Sequence, residues 1–175
     1  MNNFHSGWFV IYTKPRHEKK IAVNLGHAGI DCFLPCIKQL RCWSDRKKFI
    51  DEPLFPSYVF VKLENSQNYF TTLTISGILY YVREGGRIAI VSETIIDNLK
   101  HIVSDPERHI EVTAEKISTG KILLIKEGPF TGFSCEVIQH KGKEKLLVRI
   151  QLLQRNVLLD VSSEYLMPAS AIQSN

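Results

Sequence analysis

Apolar residues along the first hundred positions switch between two periods, and the switches predict the elements. Trp8–Thr13 (WFVIYT) is wholly apolar and aromatic apart from its last residue and predicts a strand. Pro15 then stands where a first helical turn tolerates it, with Glu18 near the positive end of the helix dipole. Ile21, Ala22, Leu25 and Ala28 recur at helical spacing as one core-facing stripe, and Gly29 ends that helix. Asp31–Ile37 reads as a strand, Arg41–Ile50 as a basic hairpin turning near Ser44–Asp45, and Pro53–Leu63 (PLFPSYVFVKL) as a strand with a bent entrance. Asn65 or Ser66 caps a second helix through Leu73. Gly77–Arg83 is a further strand, and Gly85–Gly86 turns tightly into Arg87–Val91. Ser92 caps a third helix whose stripe is Ile95, Ile96, Leu99, Ile102 and Val103. Helices separated by strand pairs predict an α+β layer, three helices on a mixed or antiparallel sheet.

Beyond the third helix the pattern changes. Ser104–Lys116 (SDPERHIEVTAEK) is polar, contains Pro106 and has weak periodicity, which predicts a linker over 105–116 between domains at 1–104 and 117–175. Short strands follow at Lys121–Ile125, Ser134–Gln139, Leu146–Leu152 and Val157–Val161, with a terminal turn at Tyr165–Met167. They are joined by GPFTG (128–132) and HKGKE (140–144). Five such short elements in so small a space predict a closed barrel, which removes exposed edges.

Composition narrows the function classes. The chain has 175 residues, 44% of them apolar and 23% charged, so it can bury a core. Its apolar runs fall far short of the ~20 residues of a membrane helix, and its N-terminus lacks a secretory pattern, so a cytoplasmic protein is expected. The net charge of +4 is uneven: residues 1–50 hold nine Lys/Arg against three Asp/Glu. Lys14, Arg16, His17, Lys19 and Lys20 make the candidate nucleic-acid face, with Arg16, Lys20 and His27 spaced to share one side of the first helix. A solvated basic surface is the alternative reading. Cys32, Cys36, Cys42 and Cys135 form no CxxC pair, which favours packed thiols over a metal site. No GxSxG, HExxH or phosphate-loop lysine is present, so neither catalysis nor a cofactor is expected. Tyr12, Phe55 and Tyr58 lie on strands that a sheet would set side by side, with Ile96 and Leu99 on the last helix bordering them. Such a set is either plain core or an uncovered apolar patch, and a patch would take a partner helix or coiled coil.

Three segments, WFVIYTKPRHEKK (8–20), PLFPSYVFVKL (53–63) and GPFTGFSCEV (128–137), occur in the order seen in the NusG family, and the chain resembles that family from about Gly7 to Pro168. The resemblance implies an N-terminal α/β sandwich linked to a small SH3-like barrel carrying the KOW motif. It implies that an apolar depression, here Tyr12, Phe55, Tyr58, Ile96 and Leu99, grips the β′ clamp helices of RNA polymerase. Tyr69, Phe70, Thr71 and Thr72 would face the polymerase β gate loop, and the basic residues from Lys14 to Lys20 the non-template DNA strand. Bridging both pincers would hold the clamp closed and suppress pausing. Leu152, Leu153 and Arg155 stand where housekeeping members carry Ile-Phe-Gly-Arg, which implies a ribosomal or termination protein as the barrel's partner. Gln154 replaces the glycine of that string, and Cys135 stands at the usual KOW glycine. The opening YTKPRHEKK is more like the specialised paralogues, RfaH and the UpxY-type regulators of polysaccharide operons, so an operon-specific antiterminator acting as a monomer is the leading expectation. A housekeeping elongation factor is the first alternative, and a KOW-containing RNA-binding or ribosome-associated protein the second. Gly128, Pro129, Gly132 and the β-branched strands favour a barrel over the helical hairpin that RfaH's second domain can form.

Overall fold

The apolar run at the start of the chain becomes β1 (Gly7–Thr13), buried on both faces, as only an inner strand covered on both sides can be. In this computed structural model, residues 5–42, 44–105, 109–116, 118, 120–125, 134–160 and 166–168 are described. The chain divides into two compact units, Met1–Pro106 and Glu107–Asn175.

In the first unit β1 is followed by α1 (Glu18–His27), β2 (Cys32–Phe33), β3 (Cys36–Cys42), β4 (Lys47–Pro53), β5 (Tyr58–Leu63) and α2 (Ser66–Thr74). Then come β6 (Ile78–Tyr81), β7 (Arg83–Glu84), β8 (Arg87–Ile88), β9 (Ile90–Val91) and α3 (Glu93–Val103). The main sheet has the order β2-β5-β1-β6, with β9 also paired to β1, and every pairing is antiparallel. The strand expected over Asp31–Ile37 is broken at Leu34–Pro35: β2 joins the main sheet and β3 departs into a separate hairpin with β4. The break follows from Pro35, which has no N–H for the ladder, while its carbonyl accepts from Leu54 N at 2.7 Å.

Strand alternation sends Phe9, Ile11, Val59, Val61 and Leu63 to one face, where Ile21 and Leu25 of α1 pack on them, with Tyr69 of α2 at the margin. Asn65 caps α2, its side chain accepting from Asn68 N, and Ser92 caps α3 by accepting from Ile95 N. On the other face Trp8 ties α3 down: its indole N–H donates to Glu93 at 3.4 Å, and Lys100 Nζ lies 5.5 Å from the ring centre.

The second unit holds β10 (Ile110–Thr113), β11 (Lys121–Ile125), β12 (Ser134–His140), β13 (Lys143–Ile150), β14 (Arg155–Asp160) and β15 (Leu166–Pro168). They form one antiparallel sheet, β10-β14-β13-β12-β11-β15, in which β11 to β14 run as a meander, β15 returns to pair with β11 and β10 pairs with β14. The hairpin β12–β13 turns through Lys141 and Gly142, both at positive φ (51° and 78°), the geometry of a two-residue type I′ loop. The GPFTG turn and Tyr165 lie outside the described residues. One expectation needs correction. β10 falls inside the stretch expected to be a linker, because its Ile-Glu-Val-Thr alternation pairs with Asn156–Leu159.

Charge holds this unit together at two places. Arg149 donates two bonds to Glu136, at 2.8 and 2.7 Å, and Gly120 N donates a third at 2.7 Å. A Cβ on Gly120 would overlap the Val137 carbonyl, so this approach requires glycine. Glu111 on β10 receives Lys141 at 2.9 Å and the nearly buried Lys145 at 3.3 Å, and Lys145 also meets Asp160 at 3.1 Å. The hydrogen bond from Arg149 holds the Glu136 carboxyl below the usual carboxylate range, and the bond from Lys141 does the same for Glu111. A depressed folded-state pKa stabilises above the unfolded pKa and is lost as pH falls through the folded one. The unfolding midpoint of this unit is therefore expected to drop as pH is lowered from about 6 to about 3, and Glu136→Gln to shrink that drop while lowering the midpoint at the upper end. Thermal melts across that range check this.

Candidate interaction surfaces

Strand pairing sets three tyrosines in one row across the main sheet. Tyr12 on β1 stands opposite Tyr58 on β5 and opposite Tyr80 on β6. The Tyr12 and Tyr58 rings meet edge-on at 5.1 Å, and Tyr12 and Tyr80 stack at 5.0 Å with an interplanar angle of 18°. Tyr12 and Tyr58 are half-buried and Tyr80 is 53% exposed. The row is a rigid aromatic ledge wet along one side. Rings locked by their neighbours present apolar area without much further loss of side-chain freedom, and their hydroxyls reach water.

The remaining members expected in this surface do not belong to it. Phe55 is 2% exposed, and Ile96 and Leu99 are 0% exposed. Phe55 packs edge-on against Phe60 at 6.3 Å, and the apolar stripe of α3 is consumed in covering the sheet. All three side chains are closed to solvent, so they are not part of the exposed aromatic edge. Sequence reasoning missed Tyr80, whose part shows only once β6 is registered against β1.

A buried carboxylate positions the ledge. Ser57, next to Tyr58, has φ 68°, a strained left-handed conformation for a non-glycine residue. Glu18, 5% exposed, accepts from Ser57 N at 2.7 Å, and Ser57 O accepts from Thr13 N at 2.9 Å. Both polar groups of the turn are thereby satisfied by α1 and β1. Glu18→Ala would leave a buried N–H unpaired, with an expected loss of ~1–3 kcal/mol of stability, read from denaturant unfolding.

Lys14, Arg16, His17, Lys19 and Lys20 are all exposed. Arg16 does not share a helical face with Lys20 and His27 as the spacing suggested, because α1 begins at Glu18 and Arg16 sits before it at φ 64°. The proline-bearing turn delays the helix by several residues. Lys19 Nζ donates to the Asp51 carbonyl at 2.7 Å. Arg16 and Lys19, with Glu18, Glu52, Pro53 and Pro56, line a cleft of about 320 Å³ at the foot of the β3–β4 hairpin.

Along α2, Phe70 is exposed, Tyr69 stacks on Tyr81 at 4.9 Å, Thr71 is half-buried, and Thr72 is buried with its hydroxyl donating to Asn68 O. Burial pushes the Tyr81 phenol up to about 12, so the ring stays neutral beneath α2. Thr72 is therefore withdrawn from the expected contact set. In the second unit, Leu153 is buried in a single 3-10 turn (Gln151–Leu153), while Leu152 is half-buried and Arg155 exposed. Only the latter two reach a surface. Gln154, in the place of the family glycine, takes φ 49°, the conformation glycine adopts most easily.

Among the described residues no three His, Cys, Asp or Glu side chains gather in a metal-binding group, and no helix is long and apolar enough to cross a membrane. Burial raises the pKa of Cys32 and Cys36 above that of an ordinary thiol.

Residues 6–100 match the family model described as "Transcription termination factor nusG". Similar proteins include the transcription termination/antitermination protein NusG of Lactococcus lactis subsp. lactis (strain IL1403), 22% identical over 87% of this chain and 88% of that protein. Another is NusG of Streptococcus pyogenes serotype M3 (strain ATCC BAA-595 / MGAS315), 23% identical over 86% and 90%. Among solved structures, Thermotoga maritima NusG aligns with a TM-score of 0.49 at 21% identity, covering 94% of this chain and 98% of that one. A solved MjSpt4:Spt5 complex aligns with a TM-score of 0.33 at 18% identity, covering 91% and 95%.

Proposed function

This chain belongs to the NusG family of transcription termination/antitermination factors, and we propose that it binds RNA polymerase through the tyrosine ledge, laying Tyr12, Tyr58 and Tyr80 against the clamp helices of the β′ subunit. The observation that carries this reading is the row of three interlocked, half-exposed rings across the main sheet. A flat aromatic surface on a rigid base suits the side of a helical hairpin, where affinity concentrates in a few large anchors. Exposed Phe70 on α2, with Tyr69 and Thr71 beside it, is the second contact, directed at the β gate loop. Holding both sides of the cleft favours the closed clamp and shortens pauses. The exposed cations Lys14, Arg16, His17, Lys19 and Lys20 face the non-template strand. Leu152 and Arg155 offer the second unit's contact to a ribosomal or termination protein.

The reading extends to an operon-specific role, carried by the YTKPRHEKK opening. In vitro transcription tests it on two templates, one a polysaccharide operon leader from the source genome and one unrelated. Shortened pausing on the leader alone is expected. Equal effects on both would assign the general elongation role, and no effect on either would remove the antipausing reading.

A further inference from the structure

β10 is the end strand of the second unit's sheet, and its hold there is slight. All four of its residues are half-buried, and the buried cluster of Ile138, Leu147 and Leu158 contains none of them. Ile-Glu-Val-Thr lies in a polar stretch after Pro106 and becomes a strand through its pairing with Asn156–Leu159. Strand alternation sets Ile110 and Val112 level with Leu159 and Val157 on one face, and Glu111 on the other. The ties on this strand are polar and lie near the surface. Glu111 bonds Lys141 at 2.9 Å and Lys145 at 3.3 Å, His109 Nδ1 lies 3.4 Å from Asp160, and Asn156 donates to the Glu115 carbonyl at 2.8 Å. Partly exposed ion pairs of this kind hold weakly and exchange readily for another carboxylate. The strand beneath is different: Val157 and Leu159 are 0% and 1% exposed, so β10 covers an apolar edge with backbone groups ready to pair.

We propose that β10 is a displaceable strap, which guards the β14 edge in the free chain and gives way to an extended segment of a partner protein that adds to the sheet in its place. The strap itself specifies that segment's chemistry. It carries β-branched residues at the two positions level with Val157 and Leu159, and between them a carboxylate for Lys141 and Lys145. A tethered strand competes at high effective concentration, so the incoming one must bind more of the edge. The edge allows this, because β14 has six residues, Arg155–Asp160, and β10 pairs with Asn156–Leu159. Until the exchange, the covered edge cannot pair indiscriminately with other chains. The proposal concerns the second unit by itself and does not depend on polymerase binding.

Hydrogen exchange on the full chain is the first test. Amides of 110–113 are expected to exchange at least about tenfold faster than those of 143–150 in β13, because the strap opens while the unit stays folded. The second test is fluorescence anisotropy with a labelled peptide copying residues 107–116. Glu111→Lys sets a third cation beside Lys141 and Lys145, and this full-length variant is expected to bind the peptide about tenfold more tightly than wild type does. Glu111→Gln should give a smaller gain in the same direction with wild-type circular dichroism. A peptide carrying Glu111→Lys should bind neither chain. β10 exchanging no faster than β13, folded Glu111 variants without tighter peptide binding, or equal binding of the two peptides would each overturn the proposal. So would a concentration-dependent dimer of Glu111→Lys on size exclusion, since the edge would then take a second copy's strap.

Discussion

A Tyr58→Ala/Tyr80→Ala variant is expected to keep its fold and to lose about 100-fold or more in affinity for core RNA polymerase. The two rings sit at either side of Tyr12, and both expose part of their surface, so truncation removes contact area without opening the core. Aromatic anchors at the centre of an interface commonly contribute ~2 kcal/mol or more each, and two of them acting on one partner exceed the ~2.7 kcal/mol that a hundredfold change requires. Tyr12 is the wrong residue to remove first, because its ring is the neighbour of both others and its loss would release them. Surface plasmon resonance on immobilised polymerase reads the affinity, with a thermal melt to establish that the variant is folded.

Phe55→Ala is expected to act through stability alone, lowering it by ~3–5 kcal/mol, as large-to-small changes at sealed aromatic sites do. The ring is 2% exposed, lies against Phe60, and belongs to the turn that Ser57 closes on Glu18. In a unit of this size such a loss lowers the melting temperature by more than about 10 °C. Any fall in polymerase binding should then follow the fraction of unfolded protein and disappear on cooling, and Phe55→Leu should retain most of both. Binding lost by Phe55→Ala while fully folded would return that ring to the contact surface.

Much of this fold was legible in the order of residues, because helical and strand periods are written into the chain directly. The Asn65 and Ser92 caps, the stripe of α3 and the meander of the second unit all follow from local pattern. What a period cannot reveal is which of two apolar faces receives a cover. Tyr12, Phe55, Tyr58, Ile96 and Leu99 looked alike as exposed candidates, yet α3 turns its own Ile96 and Leu99 inward and the bent 53–57 turn buries Phe55. Tyr80 escaped notice because Tyr80 and Tyr81 are adjacent, and only the register with β1 separates the exposed ring from the buried one. Glu18 read as a charge near a helix start. Its structural role required knowing that Ser57, thirty-nine residues away, turns its N–H inward. β10 carried a real alternating signal, but four residues beside charges and a proline are too short to stand out without their partner strand.

The most direct test places a photo-crosslinking amino acid at position 80 in the full chain bound to core polymerase, followed by mass spectrometry of the adduct. Adducts on the helical hairpin of the β′ clamp are the expected result. A complex that forms and crosslinks efficiently from another surface position, yet yields no β′ adduct from position 80, would contradict the account.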